Sequence, residues 1–90
     1  MNNSSIHNPK LLNKIKEISN SSKFKIIEMT QNRELSITIL AKETKLAYNK
    51  CSNYCSSLES KNLVSKNKKG KEVFVKSILN LEELSKVLLI

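Results

Sequence analysis

Residues 35–64, LSITILAKETKLAYNKCSNYCSSLESKNLV, constrain the fold of this chain more than any other stretch. Ile37, Leu40, Ala41 and Thr44 recur at i, i+3, i+4 and i+7, the spacing of one apolar helix face. Thr38 is the expected N-cap. Ala47, Cys51, Cys55 and Leu58 then recur at i, i+4, i+8 and i+11, a second and narrower apolar face with Tyr54 beside it. Only Lys45 and Leu46 separate the two patterns, with Leu46 turned inward. The stretch reads as two helices joined by a short turn, leading into a β-strand.

The outward face of the second helix is Tyr48, Asn49, Ser52, Asn53 and Ser56, with Lys50 at its flank, and it carries no acid before Glu59. A solvated helix face ordinarily alternates charge, because i,i+4 acid–base pairs stabilise it. Asn, Ser and Tyr instead hydrogen-bond phosphates and base edges without repelling them. Asn and Ser are mediocre helix formers, so helix stability does not explain the choice. The competing explanation is compositional drift toward Asn and Ser.

Leu63–Lys66 and Glu72–Lys76 are β-rich runs, separated by a turn over Asn67–Lys71 that holds the chain's one glycine, Gly70. A lone Gly between strand-like runs marks a hairpin turn that requires positive φ. Residues 61–76 carry Lys61, Lys66, Lys68, Lys69, Lys71 and Lys76 against Glu72 alone, a local charge of +5 out of a net +8. Clustered on a hairpin, these lysines suit contact with a phosphate backbone. The alternative is an edge hairpin that uses lysines against aggregation.

Before this unit, residues 1–9 read as a polar, flexible tail, and Pro9 suits the first turn of a helix. Leu11, Leu12, Ile15 and Ile18 form one apolar stripe, stopped by Ser19-Asn20-Ser21-Ser22, where a serine is expected to cap the next helix. That helix is expected over Lys23–Gln31, well buried through Phe24, Ile26, Ile27 and Met29. Leu35-Ser36-Ile37 is β-prone and suits a brief third strand beside the hairpin. At the other end, Asn80 with Glu83 has capping-box spacing, and Leu81, Leu84 and Leu88 line a stripe that needs a partner. Either the first helix or a second subunit would supply it.

At 90 residues the chain is one domain with a small core, so self-association is an obvious way to gain buried area. The polar N-terminus lacks the apolar segment of a signal peptide, and no run is long enough for a membrane span; a cytoplasmic protein without membrane contact is expected. The strongly basic balance points to a polyanionic partner. Cys51 and Cys55 make no disulfide framework, and at i,i+4 on one helix their geometry for bridging is poor. They read as small buried apolar residues rather than a redox or metal site.

The order helix, helix, strand, helix, turn, helix, hairpin, helix resembles a winged helix-turn-helix domain, mainly α with a small β-hairpin (α+β), and most closely ArsR-like transcriptional regulators. Leu35-Ser36, Leu40-Ala41, Thr44, Leu46, Ser52, Leu58-Glu59 and Leu63-Val64 fall in register with that pattern, over about residues 22–77. Lys45 and Asn62 stand where the pattern has glycines, and Ala47 where it has a capping serine. Cys51 and Cys55 replace aliphatic core residues, and the metal-sensing sets of some such proteins are absent, so no metal and no cofactor is expected.

The resemblance implies a homodimeric regulator that binds double-stranded DNA, with the binding domain over residues 10–79 and a dimerising helix over 80–90. Tyr48, Asn49, Lys50, Ser52 and Asn53 would enter the major groove. Thr38 would hold a phosphate at a helix start, and Lys66, Lys68, Lys69 and Lys71 would grip the flanking backbone or minor groove. Leu12, Ile15, Leu84 and Leu88 would form the dimer interface. A winged helix used as a protein–protein adaptor is the alternative, since fold alone does not imply DNA. RNA binding is disfavoured by the few aromatics, Phe24, Tyr48, Tyr54 and Phe74, all expected to be buried. An enzyme is not expected, because no acid, base and nucleophile set is visible.

Overall fold

The computed structural model describes residues 9–88, excluding the side chains of residues 10, 11, 85, 87 and 88. Five helices and three strands follow in the order α1 (Pro9–Ile18), α2 (Ser21–Met29), β1 (Leu35–Ser36), α3 (Ile37–Thr44), α4 (Tyr48–Ser60), β2 (Val64–Lys69), β3 (Glu72–Ser77) and α5 (Leu81–Leu88). Of the expected tail, Pro9 opens α1 and residues 1–8 lie outside the described residues.

Two helix starts differ from expectation. Asn20, not a serine, caps α2: its backbone is extended and its Oδ1 accepts from the Lys23 amide at 3.0 Å. The helix therefore begins at Ser21 and ends at Met29, where Thr30 turns its hydroxyl back onto the Ile26 carbonyl. Ser36, not Thr38, caps α3. Ser36 is the last residue of β1, paired with Phe74, so its backbone is already extended, and its hydroxyl accepts from the Ile39 amide at 3.2 Å. Ile37 then enters the core as the first helical residue and Thr38 is left exposed in the first turn.

Helices α3 and α4 end alike. After α3, Lys45 takes φ +59°, and the Leu46 amide reaches back to the Ala41 carbonyl at 3.0 Å. After α4, Asn62 takes φ +61°, and the Leu63 amide bonds the Leu58 carbonyl at 3.0 Å. Each is a left-handed cap followed by an inward leucine, which satisfies otherwise orphaned carbonyls. Both positions are those where the sequence pattern has glycine.

The sheet order is β1-β3-β2, fully antiparallel, with Leu35 opposite Val75 and Lys69 opposite Glu72. The hairpin is tighter than the sequence suggests. Strand β2 runs on to Lys69, leaving Gly70 (φ +64°) and Lys71 as a two-residue turn. Positive φ at the first turn position suits the right-handed strand twist.

The core is Ile26 and Ile27 of α2, Ile37, Leu40 and Ala41 of α3, Cys51, Cys55 and Leu58 of α4, and Leu63, Val64 and Val75 at the sheet. Ala47 is not part of it; it is the exposed cap residue of α4. Nor is any of the four aromatic rings buried: Phe24 and Tyr48 are exposed, Tyr54 and Phe74 half-buried. Helix α2 accordingly buries only its two isoleucines. Polar contacts then fasten the C-terminal helix. The Gln31 side chain donates to the Leu79 carbonyl (2.8 Å) and accepts from the Leu81 amide (3.0 Å), while Asn80 caps the Glu83 amide (3.1 Å).

Candidate nucleic-acid interface

Helix α4 packs Cys51, Cys55 and Leu58 inward and presents Tyr48, Asn49, Lys50 and Asn53 to solvent, with Ser52 half-buried at the margin. Its first turn holds no acid, and Ala47 supplies no side-chain cap, so its leading amides lack a side-chain acceptor. Lys50 leans over Tyr54, its Nζ 5.8 Å from the ring centroid, and Lys23 of α2 approaches the same ring at 5.1 Å. Such contacts contribute about 0.5–1 kcal/mol at exposed sites, so they hold Lys50 only weakly.

The wing lysines divide into two groups. Lys66 lies on the core-facing side of the hairpin, donating to Ser56 Oγ at 3.0 Å and pairing with Glu59 at 3.6 Å. Lys69 lies on the other side, paired with Glu34 and set over Phe74 at 5.3 Å. Lys76 donates to the Gln31 carbonyl at 2.8 Å. Lys68 and Lys71 are exposed and make no ion pair among the described residues. Four wing lysines named from the sequence thus reduce to two uncommitted ones, at and beside the turn.

A polar cluster that sequence reasoning missed ties α1 to α4. Glu17 accepts from Lys23 Nζ at 2.7 Å and from the Ser57 hydroxyl. Burial pushes the Glu17 carboxyl up, but the hydrogen bonds from Lys23 and Ser57 and the charges of Lys23 and Lys61 outweigh it and hold the pKa below its ordinary value. Glu17 and Ser57 are 40 residues apart, so no local pattern announces the pair.

Both cysteines are buried and unbridged. Burial raises the thiol pKa of each, and that of Cys55, with the adjacent Cys51 adding to the effect, reaches about 12. A thiol held protonated is a poor nucleophile and a poor ligand. Among the described residues, no group of three or more His, Cys, Asp or Glu is placed to hold a metal ion. No described helix is long and apolar enough to cross a membrane.

Of the expected dimer contacts, Leu12 is exposed (50%), and Ile15 and Leu84 are half-buried. The Leu88 side chain lies outside the described residues. Exposed Ile78 (58%) sits with Leu79 and Leu84 at a cleft of about 310 Å³ shared with Lys14 of α1 and Asn62.

No protein-family model and no curated protein matches this sequence. Solved structures do. Reduced HlyU from Vibrio cholerae superimposes with a TM-score of 0.80 at 22% identity, covering 96% of this chain and 90% of that one. NolR from Sinorhizobium fredii gives 0.78 at 19%, covering 93% and 89%. The homodimeric winged helix-turn-helix DNA-binding domain of Mb0332 from Mycobacterium bovis gives 0.74 at 15%, covering 97% and 79%. The chain therefore has the winged helix-turn-helix fold, in the form these proteins share: α3 and α4 are the helix-turn-helix, and the β2–β3 hairpin is the wing.

Proposed function

We propose that this protein is a small regulator of transcription that binds double-stranded DNA as a homodimer. The observation that carries the reading is the juxtaposition on one fold of α4, whose open face is polar and acid-free as far as Glu59, with a wing bearing uncommitted Lys68 and Lys71. Tyr48, Asn49, Lys50, Ser52 and Asn53 enter the major groove. Asn49 and Asn53 match adenine edges, and Lys50 a guanine or a phosphate. Thr38, displaced from the cap but exposed in the first turn of α3, remains in reach of a backbone phosphate. Lys68 and Lys71 take the flanking backbone, and Lys66 and Lys69 contribute only as they exchange their present partners. Leu12, Ile15, Leu84 and Leu88 pair across the dimer, so residues 80–90 serve dimerisation and two half-sites lie about one helical turn apart. The Mb0332 structure, described as homodimeric and DNA-binding, supports the same reading by fold.

An adaptor role draws support from the exposed side chains of Ile39 on α3 and Tyr48 on α4. Selection of bound sequences from random duplexes, followed by fluorescence anisotropy, separates the two readings. A palindromic consensus is expected. Asn49→Ala and Asn53→Ala should each lower affinity for it and spare random duplex. Equal losses on both DNAs would remove their role in specificity, and no duplex binding at any salt would leave the adaptor.

A further inference from the structure

Lys45 sits at the turn between α3 and α4 with φ +59° and ψ +35°. Three residues among those described have positive φ: Lys45, Asn62 and Gly70. Gly takes this conformation without steric cost and Asn with little, but a long L side chain is strained there. The chain uses Gly and Asn at two of the three positions and lysine at the third. The Lys45 side chain is exposed and makes no ion pair among the described residues. Its backbone is held on both sides, by its own amide to the Lys42 carbonyl (3.3 Å) and by the Leu46 amide to the Ala41 carbonyl (3.0 Å), with Leu46 packed against the core. The direction in which the side chain leaves the turn is therefore fixed, three residues ahead of Tyr48.

Lys42 and Lys50 are exposed on the two helices that flank the turn, and Lys25 donates to the Glu43 carbonyl at 3.0 Å; Glu43, in the last turn of α3, is the one acid in residues 37–58. We propose that Lys45 is a DNA-phosphate contact, kept at a left-handed position because the charge is needed at the mouth of the reading helix. This inference rests on the duplex-binding reading above. The simpler account is a cation placed near the carbonyl end of α3, where it favours the helix dipole.

The experiment uses the full chain at one protein concentration, with a random-sequence duplex so that no operator is required. Lys45→Gly removes both strain and charge, Lys45→Asn removes the charge at a tolerant residue, and Lys45→Arg keeps both. Lys45→Gly is expected to raise Tm by roughly 4–8 °C. It should also lower the slope of log K against log salt by about 0.9 per contact, an affinity loss of about eightfold for each contact at 0.1 M salt relative to 1 M. Lys45→Asn should show the same slope change, and Lys45→Arg neither effect. A Tm gain with an unchanged slope overturns the proposal and leaves a strained but idle residue. A Tm loss in both Gly and Asn variants with an unchanged slope overturns it in favour of the helix dipole. Absence of duplex binding by the unsubstituted protein refutes the functional reading itself, and is distinct from either result.

Discussion

Ala47→Ser should stabilise this protein, by an amount that follows from the geometry of one helix start. Ala47 has the extended backbone of an N-cap, φ −60° and ψ +149°, and its carbonyl already accepts from the Cys51 amide at 3.0 Å. Only a side-chain acceptor is lacking. The residue is exposed, so a hydroxyl meets no steric obstacle. A serine oxygen would accept from the amide of Asn49 or Lys50, and replacing alanine by such a cap contributes about 1 kcal/mol. For a domain of this size that corresponds to roughly 4–8 °C in Tm. Circular dichroism melts at a fixed protein concentration measure it, because a dimer's Tm depends on concentration. Ala47→Val keeps the backbone without the acceptor and should give no gain. Ala47→Asp should stabilise at least as much, since a carboxylate also favours the helix N-terminus. It should at the same time weaken duplex binding by repelling phosphate. An unchanged Tm for both Ser and Asp variants would refute the claim that α4 starts with unmet amides.

Three further outcomes test the site and its supports. Lys68→Ala with Lys71→Ala should lower the salt slope of duplex binding by about 0.9 per lost contact. Lys66→Ala with Lys69→Ala should lower it less, because those lysines already face Glu59 and Glu34; equal slopes in anisotropy titrations would contradict the division. Cys51 and Cys55 should resist thiol reagents in the native protein at pH 8. The raised Cys55 pKa means that the folded state holds its proton more tightly than the unfolded chain does. Its contribution to stability is therefore complete below pH 9.0 and declines as pH rises toward about 12, and rapid native modification of both thiols would overturn their burial. For Glu17, with a lowered folded pKa, the sign reverses: stability is present above its ordinary value and falls as the carboxylate protonates in acid. Glu17→Gln should cost about 1.5 kcal/mol by loss of charge-assisted bonds to Lys23 and Ser57, and an unchanged urea midpoint at pH 7 would discount the cluster.

The helix pair and its inward cysteines were legible in the periodicity of residues 35–64, while the missing cap at Ala47 and the glycine-like positions of Lys45 and Asn62 came from the resemblance to the winged helix-turn-helix pattern, periodicity alone having turned Ala47 inward. Each depends on neighbours within one or two helical turns. Periodicity decides which face is buried, and the left-handed cap is dictated by where the helix must end and the next leucine turn inward. Even the brief strand at Leu35-Ser36 could be anticipated from composition beside a hairpin. Tertiary structure alone decided which polar groups are already taken. Lys69 meets Glu34 across 35 residues, Ser57 meets Glu17 across 40, and Gln31 reaches Leu79 across 48. The pairing of Ser36 with Phe74 moved the α3 cap two residues ahead of Thr38. A charge cluster can be counted from sequence, but whether each ammonium is open to a phosphate depends on what the fold brings within about 4 Å of it. That is why the winged helix-turn-helix could be read from local pattern, while the division of the wing lysines into paired Lys66 and Lys69 and unpaired Lys68 and Lys71 emerged only from the packed chain.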